Sequence, residues 1–453
     1  MNARELALLA LTESHDRGTY VQDCLHELLA RHPMSPADRA LATEIAAGTV
    51  RHRRTLDRLL DRRLKTPIRE MLPAVRFILE SAAYQILYLE RVPDYAVVDE
   101  AVRLARQTTR GRMSGLVNAV LRRLSEMIDR EARAESVRDV RRLIPLPRGG
   151  AVVLKESVLP EQTTRRLADA YSFPHPLVAR WVERWGAAGA EQVLASLNRP
   201  PRTFARVNAL RASRESLAAR LPESVRDAVR WVGDRAADVS DLPHEHLLAL
   251  LGEGLVTVED PTAMRAVEAM DVRPGLTVLD LCAAPGGKAS YIAELLQGQG
   301  TVWALDRPGP RLETLRDTCR RLGLATVRVV ANVPAQWPDD MPRRFDRVLV
   351  DVPCSNTGVL GRRAEARWRL KDHAFESLRP LQMELLAQGA ALTAPGGLCV
   401  YSTCSIEPQE NDRLVREFLA GRPEMVLQVE RETLPSADGD GGYFARMTRL
   451  EAT

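Results

Sequence analysis

The sequence predicts a multidomain protein: an all-α bundle, a small α+β module, and an α/β domain built on a doubly wound, Rossmann-like sheet. Three observations carry this. From Met1 to about Ile128, apolar residues recur at three- and four-residue spacing with no strand alternation. After a stretch rich in proline and glycine, short helical and short alternating runs are mixed. From Thr257 onward strand-like and helical runs alternate, the βαβ pattern of a parallel sheet with ligands at the carboxyl ends of its strands. At 453 residues the chain is too long for one core. The expected boundaries are a helical domain over 1–130, a linker over 131–164, an accessory module over 165–255 and the α/β domain over 256–453.

In the first domain Ala7, Leu8 and Leu11, then Leu25, Leu28 and Leu29, then Leu41, Ala42 and Ile45 mark successive apolar helix faces. Pro33, Pro36, Pro67, Pro73 and Pro93 mark helix starts or breaks, so five to seven helices in a compact bundle are expected. Arginines are grouped at Arg51, Arg53, Arg54, Arg58, Arg62 and Arg63 and again at Arg103, Arg106, Arg110, Arg112, Arg122 and Arg123. Interspersed acidic residues suit a solvated face; the density of arginine suits a phosphate-binding surface for RNA. Between Arg130 and Glu161 the periodicity dissolves, and Pro145, Pro147, Gly149, Gly150 and Pro160 read as a linker.

Beyond the linker, Pro176 to Gly186 is a helix with a proline start and a glycine stop, followed by a second helix over Ala190 to Leu197. Thr203 to Asn208 alternates as a strand, Ser213 caps a helix reaching Leu221, and apolar runs near Val229 and Val256 close a small mixed sheet. Arg206 and Asn208 are either RNA contacts or ordinary strand residues.

The α/β domain is organised around Asp280-Leu281-Cys282-Ala283-Ala284-Pro285-Gly286-Gly287-Lys288-Ala289-Ser290, which reads as strand, glycine turn, helix. Small residues let the backbone approach a ligand, and the helix start faces it with unpaired N–H groups. The next strand, Thr301 to Leu305, ends on Asp306, about 20 residues past the turn, where a carboxylate can grip ribose hydroxyls. The loop is neither Gly-x-Gly-x-x-Gly nor a phosphate loop. A ligand with ribose and no phosphate fits better, and S-adenosylmethionine is the common one. Further strands are expected at Thr326–Val330, Arg347–Asp351 and Leu398–Thr403, with helices at Pro310–Leu322, near Leu378–Leu392 and near Pro408–Leu419, and a last antiparallel strand from Gly442.

The six cysteines include no Cys-x-x-Cys pair, which argues against a disulfide framework and a zinc site, so no metal is expected. Two lie in motifs at strand tips: Asp351-Val352-Pro353-Cys354-Ser355-Asn356-Thr357-Gly358 beyond the fourth strand, and Tyr401-Ser402-Thr403-Cys404-Ser405 beyond the fifth. Such tips can lie together above the cofactor pocket, with both thiols facing one substrate. A single cysteine is more often an inert core residue, the reading that suits Cys282, Cys319 and Cys399. Two at neighbouring tips beside a methyl-donor loop point to nucleophilic chemistry. Cys404 also stands near a helix start expected at Glu407-Pro408. The net charge of +4 is small, so an anionic partner must be sought in local patches. No apolar run approaches a membrane span, and the expectation is a cytoplasmic monomer without membrane contact.

Two resemblances follow from these motifs. Val92-Pro93-Asp94-Tyr95-Ala96-Val97-Val98-Asp99-Glu100-Ala101-Val102 and Gly115-Leu116-Val117-Asn118-Ala119-Val120-Leu121-Arg122 resemble the closing helices of the NusB domain, an RNA-binding module. The three motifs at Cys282–Lys288, Asp351–Ser355 and Ser402–Ser405 together resemble the Sun-type RNA cytosine-C5 methyltransferases, and with a NusB-like domain in front, the bacterial subgroup acting on small-subunit (16S) ribosomal RNA. The resemblance implies that Cys404 is the nucleophile and Cys354 assists release. It implies that Cys282, Ala283, Ala284, Pro285, Gly286, Gly287, Lys288, Asp306 and Asp351 line the cofactor and base pocket. One departure stands at the end of the third strand: the family usually has Gly-Asp, whose carboxylate meets the adenine, and this chain has Ala331-Asn332. Asn332 is either an amide that accepts from the adenine amino group or an ordinary loop residue.

The chemistry agrees with the resemblance. C5 of cytosine is too poor a nucleophile to take a methyl group until a thiolate adds at C6. Asp351 is the candidate to supply the proton that this addition demands at N3, with Lys288 beside it. Among competitors, a DNA-type C5 methyltransferase would not need the Thr403-Cys404 motif, and an amino-group methyltransferase would want an Asn/Asp-Pro-Pro-Tyr/Phe loop. A transfer-RNA cytosine-C5 methyltransferase and a non-catalytic RNA-binding assembly factor remain alternatives; Lys288, Cys354 and Cys404 count against the latter.

Overall fold

The structure, a computed structural model, describes residues 1–333, 337–370 and 374–451. The chain divides into two compact units, Met1–Pro200 with Arg363–Arg369, and Pro201–Arg362 with Leu370–Thr453.

Over residues 1–130 of the first unit six α-helices span Ala3–Arg17, Val21–Arg31, Pro36–Asp61, Pro73–Tyr88, Asp94–Thr109 and Ser114–Glu126, within the expected number. Prolines open the third and fourth, where a missing N–H costs nothing. The stretch 131–164, expected to be a linker, instead holds an antiparallel hairpin of Leu143–Pro145 and Ala151–Val153, with Gly149 and Gly150 at positive φ in its turn. Ile144 is fully buried, and the Asp129 N–H donates to the Val153 carbonyl. The helices Thr163–Tyr171 and His175–Asn198, the latter broken at Gly186 (φ 70°), cluster with this unit. The reason is polar packing on the third helix: Arg54 Nε donates to Asp169 at 2.6 Å, and the Thr55 hydroxyl to the Asp169 carbonyl.

That packing divides the arginine groups. Arg58 donates to the Val158 carbonyl and Arg63 to Glu156, so the first group is largely structural. Arg106, Arg110, Arg112, Arg122 and Arg123 are exposed. Residues 363–369 complete the unit. Arg367 is fully buried, donates to the Ser172 carbonyl and to Asn198 Oδ1, and lies 3.7 Å over the Phe173 ring; the Trp368 indole donates to the Val50 carbonyl at 2.8 Å. A cut after residue 130 would therefore strip partners from Trp368 and the helix at 163–171.

The second unit carries a seven-stranded sheet. Its strands, in chain order, are β1 (Thr277–Asp280), β2 (Thr301–Asp306), β3 (Val327–Ala331), β4 (Phe345–Asp351), β5 (Thr393–Thr403), β6 (Met425–Thr433) and β7 (Gly442–Arg449). Their order is 3-2-1-4-5-7-6, with β1 to β5 parallel and β7 antiparallel to both neighbours. The sheet thus reverses direction of growth between β1 and β4, where doubly wound folds bind ligands. A separate four-stranded antiparallel sheet orders Arg230–Val232, Ala236–Asp238, Phe204–Val207 and Val256–Val258.

Of the two readings of Arg206 and Asn208, the structure favours structural residues. Arg206 and Asn208 are fully buried and are not RNA contacts. Arg206 pairs with Glu259 at 2.6 Å and with Glu294, donates to Ser290 Oγ at 2.8 Å, and sits over the Tyr291 ring; Asn208 donates to the Gly254 and Leu322 carbonyls. Burial pushes the Glu294 carboxyl up to about 7 while Arg206 pulls it back. Arg206→Ala would leave two buried carboxylates without their counter-charge. An expected loss of about 3–5 kcal/mol in unfolding free energy is to be read by denaturant titration.

Candidate active site

β1 ends on Asp280, and the chain then crosses the tips of its neighbours: the Leu281 N–H donates to the Leu349 carbonyl and the Ala283 N–H to the Leu305 carbonyl. Gly286 turns it into the next helix at φ +115°, and a Cβ there would lie 2.8 Å from Leu315 Cδ1. Asp306, at the tip of β2, accepts the Ala284 N–H on one carboxylate oxygen and the Arg307 N–H on the other, both at 2.8 Å. Each oxygen keeps a lone pair for a further donor. Asn332 follows β3, its N–H bonded to the Asp306 carbonyl at 2.7 Å; its Oδ1 is buried with no hydrogen-bond partner among the described residues. Asp280 is also buried, and burial, reinforced by Asp351, pushes its carboxyl up to about 8.

The cysteines meet because β4 and β5 are neighbours in register. Asp351 pairs with Ser402, and the Val352 N–H donates to the Ser402 carbonyl, so the motifs leave the sheet side by side. Cys354 Sγ and Cys404 Sγ lie 3.1 Å apart, and Cys404 Sγ is 3.2 Å from Asn356 Oδ1. The Gly358 N–H donates to the Cys404 carbonyl; a Cβ on Gly358 would fall 2.4 Å from the Gly441 carbonyl oxygen, so no larger residue fits. Asp351 accepts the Lys288 ammonium at 2.7 Å on one oxygen and the Ser402 hydroxyl at 2.5 Å on the other. Burial works against the charged form of Lys288, but the Asp351 ion pair outweighs it and holds the lysine above its ordinary value. The hydrogen bond with Cys404 and then burial raise the Cys354 thiol well above the ordinary thiol range.

One expected feature is absent. No helix starts at Glu407-Pro408: those residues form a turn and the helix begins at Asp412, so no helix N-terminus adjoins Cys404. Lys288 is the cation whose field includes Cys404. Burial lifts the remaining sheet-domain thiols, Cys319 to about 11 and Cys399 to about 12, and also Cys282, which suits inert residues. Among the described residues no cluster of three or more His, Cys, Asp or Glu side chains is arranged to hold a metal, and no helix is long and apolar enough to cross a membrane.

The chain is 34% identical to the probable ribosomal RNA small subunit methyltransferase B of Synechocystis sp., over 99% of this chain and 96% of that protein. It belongs to the small-subunit ribosomal RNA methyltransferase B family. A second member, from Serratia proteamaculans, is 31% identical over 99% of both chains. The family model described as 16S rRNA methyltransferase RsmB/F matches residues 267–442, the NusB family 1–126, and the RsmF/B-like ferredoxin-like domain 173–232. The solved structure of PH0851 superposes with a TM-score of 0.77 at 22% identity, covering 99% of each chain; a methyltransferase homologue from Pyrococcus horikoshii gives 0.55 at 23%, covering 64% of this chain and all of that one. Both share the fold. In this chain the geometry unites the Lys288–Asp351 pair with Cys354 and Cys404, and Asp306 with the 282–288 loop. Ser402 and Asn356 stood inside the quoted motifs, yet nothing local marked them as partners of Asp351 and Cys404.

Proposed function

We propose that this RNA methyltransferase transfers a methyl group from S-adenosylmethionine to C5 of a cytosine in 16S ribosomal RNA, through a covalent bond between Cys404 and C6 of the base. The observation that carries the reading is the pair of thiols 3.1 Å apart at the tips of β4 and β5, beside the Lys288–Asp351 ion pair. A DNA-type or amino-group methyltransferase has no use for two such thiols.

The residues fit the cofactor. Gly286 leaves the loop without a side chain where the backbone must approach a ligand, Asp306 has acceptor capacity left for ribose hydroxyls, and the unpartnered Asn332 Oδ1 suits an adenine amino group. When bound, S-adenosylmethionine supplies an electrophilic methyl group. Cys404, as thiolate, adds to C6 of a cytosine taken out of its stack. The Lys288 ammonium passes a proton along its 2.7 Å contact to Asp351, which hands it on to N3 as the thiolate adds. C5 then carries the electron density that accepts the methyl group. A water held at Cys354 takes the C5 proton and the N3 proton returns to Asp351, which expels Cys404 as thiolate and restores the neutral ring. The exposed Arg106, Arg110, Arg112, Arg122 and Arg123 provide a phosphate-binding surface for the RNA.

Incubating the protein with labelled S-adenosylmethionine and ribosomal RNA, then mapping by bisulfite sequencing, tests the reaction; label without a bisulfite-resistant cytosine would sink it. Asp306→Ala is expected to weaken cofactor binding by about 1.5–3 kcal/mol per lost charge-assisted hydrogen bond, measured by calorimetry. Asn332→Asp, which restores the usual carboxylate, should match or improve on the native affinity. Replacing Arg106, Arg110, Arg122 and Arg123 by alanine should flatten the salt dependence of RNA binding, by roughly 0.7–0.9 in log–log slope per lost phosphate contact. An unchanged slope would mean a merely solvated face.

A further inference from the structure

The two cysteine loops rest on a buried polar cluster that the chemistry above leaves without a role. Glu410 is fully buried, and its carboxylate accepts the Ser355 N–H at 2.9 Å, the Ser355 hydroxyl at 2.5 Å and the Gln382 amide at 3.0 Å. Gln382 also donates to the Pro353 carbonyl at 2.9 Å. Both neighbours of Cys354 are thereby held by one carboxylate and its amide partner. Asn411, buried next door, does the same for Cys404: its Nδ2 donates to the Ser405 carbonyl at 2.9 Å and its Oδ1 accepts the Thr403 hydroxyl at 2.7 Å. The Ser405 hydroxyl lies 3.1 Å from those of Ser355 and Thr357, bridging the two loops. The turn carrying both side chains is tied to β5 by the Tyr401 hydroxyl, which donates to the Glu410 carbonyl at 2.7 Å.

A buried carboxylate is costly unless its hydrogen bonds are made, and here all its partners serve the Cys354 loop. We propose that Glu410 and Asn411 are positioning residues that assign the thiols their separate tasks, Glu410 fixing Cys354 for release and Asn411 fixing Cys404 for attack. This rests on the covalent reading above. Charge supports the geometry: behind the Cys404 hydrogen bond and burial, the negative charge of Glu410 also keeps Cys354 protonated, so that it does not compete with Cys404 as nucleophile.

The test uses the full chain in three variants, Glu410→Ala, Glu410→Gln and Asn411→Ala, beside Cys354→Ala. Two readouts are taken: covalent protein–RNA complex on a denaturing gel, and the alkylation rate of each cysteine by iodoacetamide, followed by peptide mass spectrometry in the absence of RNA. Glu410→Ala is expected to slow release about a hundredfold and accumulate the complex, with Glu410→Gln, which keeps an oxygen for the Ser355 N–H, within about tenfold of the native protein. Cys354 alkylation should rise several-fold in Glu410→Ala while buried Cys399 stays unreactive. Asn411→Ala should instead form the complex slowly and not accumulate it.

Native release and native Cys354 alkylation in Glu410→Ala, while Cys354→Ala still traps RNA, would overturn the proposal and leave the covalent reading standing. If Cys354→Ala itself traps nothing, the release step is misread, and alkylation alone decides whether Glu410 positions Cys354: a selective rise supports it, an unchanged rate overturns it. Should Glu410→Ala unfold, seen as alkylation of Cys399, Gln382→Met, which removes the donor to the Pro353 carbonyl and to Glu410, carries the same comparison, and native release with native Cys354 alkylation there is the overturning result. An Asn411→Ala complex formed at the native rate removes Asn411 from the proposal.

Discussion

Cys404→Ala is expected to abolish methylation and to form no covalent RNA complex, whereas Cys354→Ala is expected to methylate its RNA and then fail to let go of it. The two thiols touch at 3.1 Å, so proximity to the base cannot distinguish them; their place in the reaction does. Without the Cys404 sulfur no adduct begins, C5 stays unactivated, and the block falls before methyl transfer. Without Cys354 the attack and the methyl transfer proceed, but the C5 proton is not removed and the bond from Cys404 to C6 persists. The product is a retarded protein–RNA band on a denaturing gel. Unfolding does not imitate this, because an unfolded chain neither methylates nor traps RNA. A trapped band with Cys404→Ala and none with Cys354→Ala would reverse the roles, as in the DNA-type enzymes. Methylation by both variants with no trapped band would end the covalent reading.

Asp351→Asn is expected to lower the single-turnover methylation rate by about 10²- to 10⁴-fold, the range for loss of a positioned proton donor. The amide is nearly isosteric and can still accept the Ser402 hydroxyl, so the loop should keep its shape. It cannot carry the proton to N3 or take one from Lys288. The lysine also loses the ion pair that offsets its burial, so its pKa falls and the positive charge beside Cys404 weakens at alkaline pH. Residual activity of Asp351→Asn should therefore decline as pH rises through the lowered lysine value, where the native enzyme stays level. Lys288→Met should be impaired to a similar degree, and the double variant should be little worse than either single one, because the two residues act as a unit. A native rate in Asp351→Asn would mean that the N3 proton comes from elsewhere.

The catalytic sheet was legible because its signals are local. A short apolar strand, a glycine turn and a helix follow one another at Thr277–Leu295, and the acidic tip at Asp306 stands where a second strand must end. Both cysteines sat at strand tips whose pairing follows from the fold class. The hairpin at Leu143–Val153 was illegible because three-residue strands hold too few alternations to rise above a proline- and glycine-rich background. The helix expected at Pro408 begins four residues later, because Glu410 and Asn411 turn their side chains into the cluster beneath the cysteines. No periodicity announces such a cluster.

Charge shows the division most clearly. Residue type and spacing were enough to mark a glycine turn after the first strand of the sheet, a carboxylate at the tip of the second and two motif cysteines, because each of these depends on neighbours a few positions away. Which arginines meet solvent, and which residues hold the thiols, depended on partners far along the chain: Arg206 on Glu259 and Glu294, Arg367 on Asn198, Ser355 on Glu410. A buried charge is tolerable only when opposite charge and hydrogen-bond partners are brought to it, and an arginine reads the same in sequence whether folding supplies them or leaves it in water.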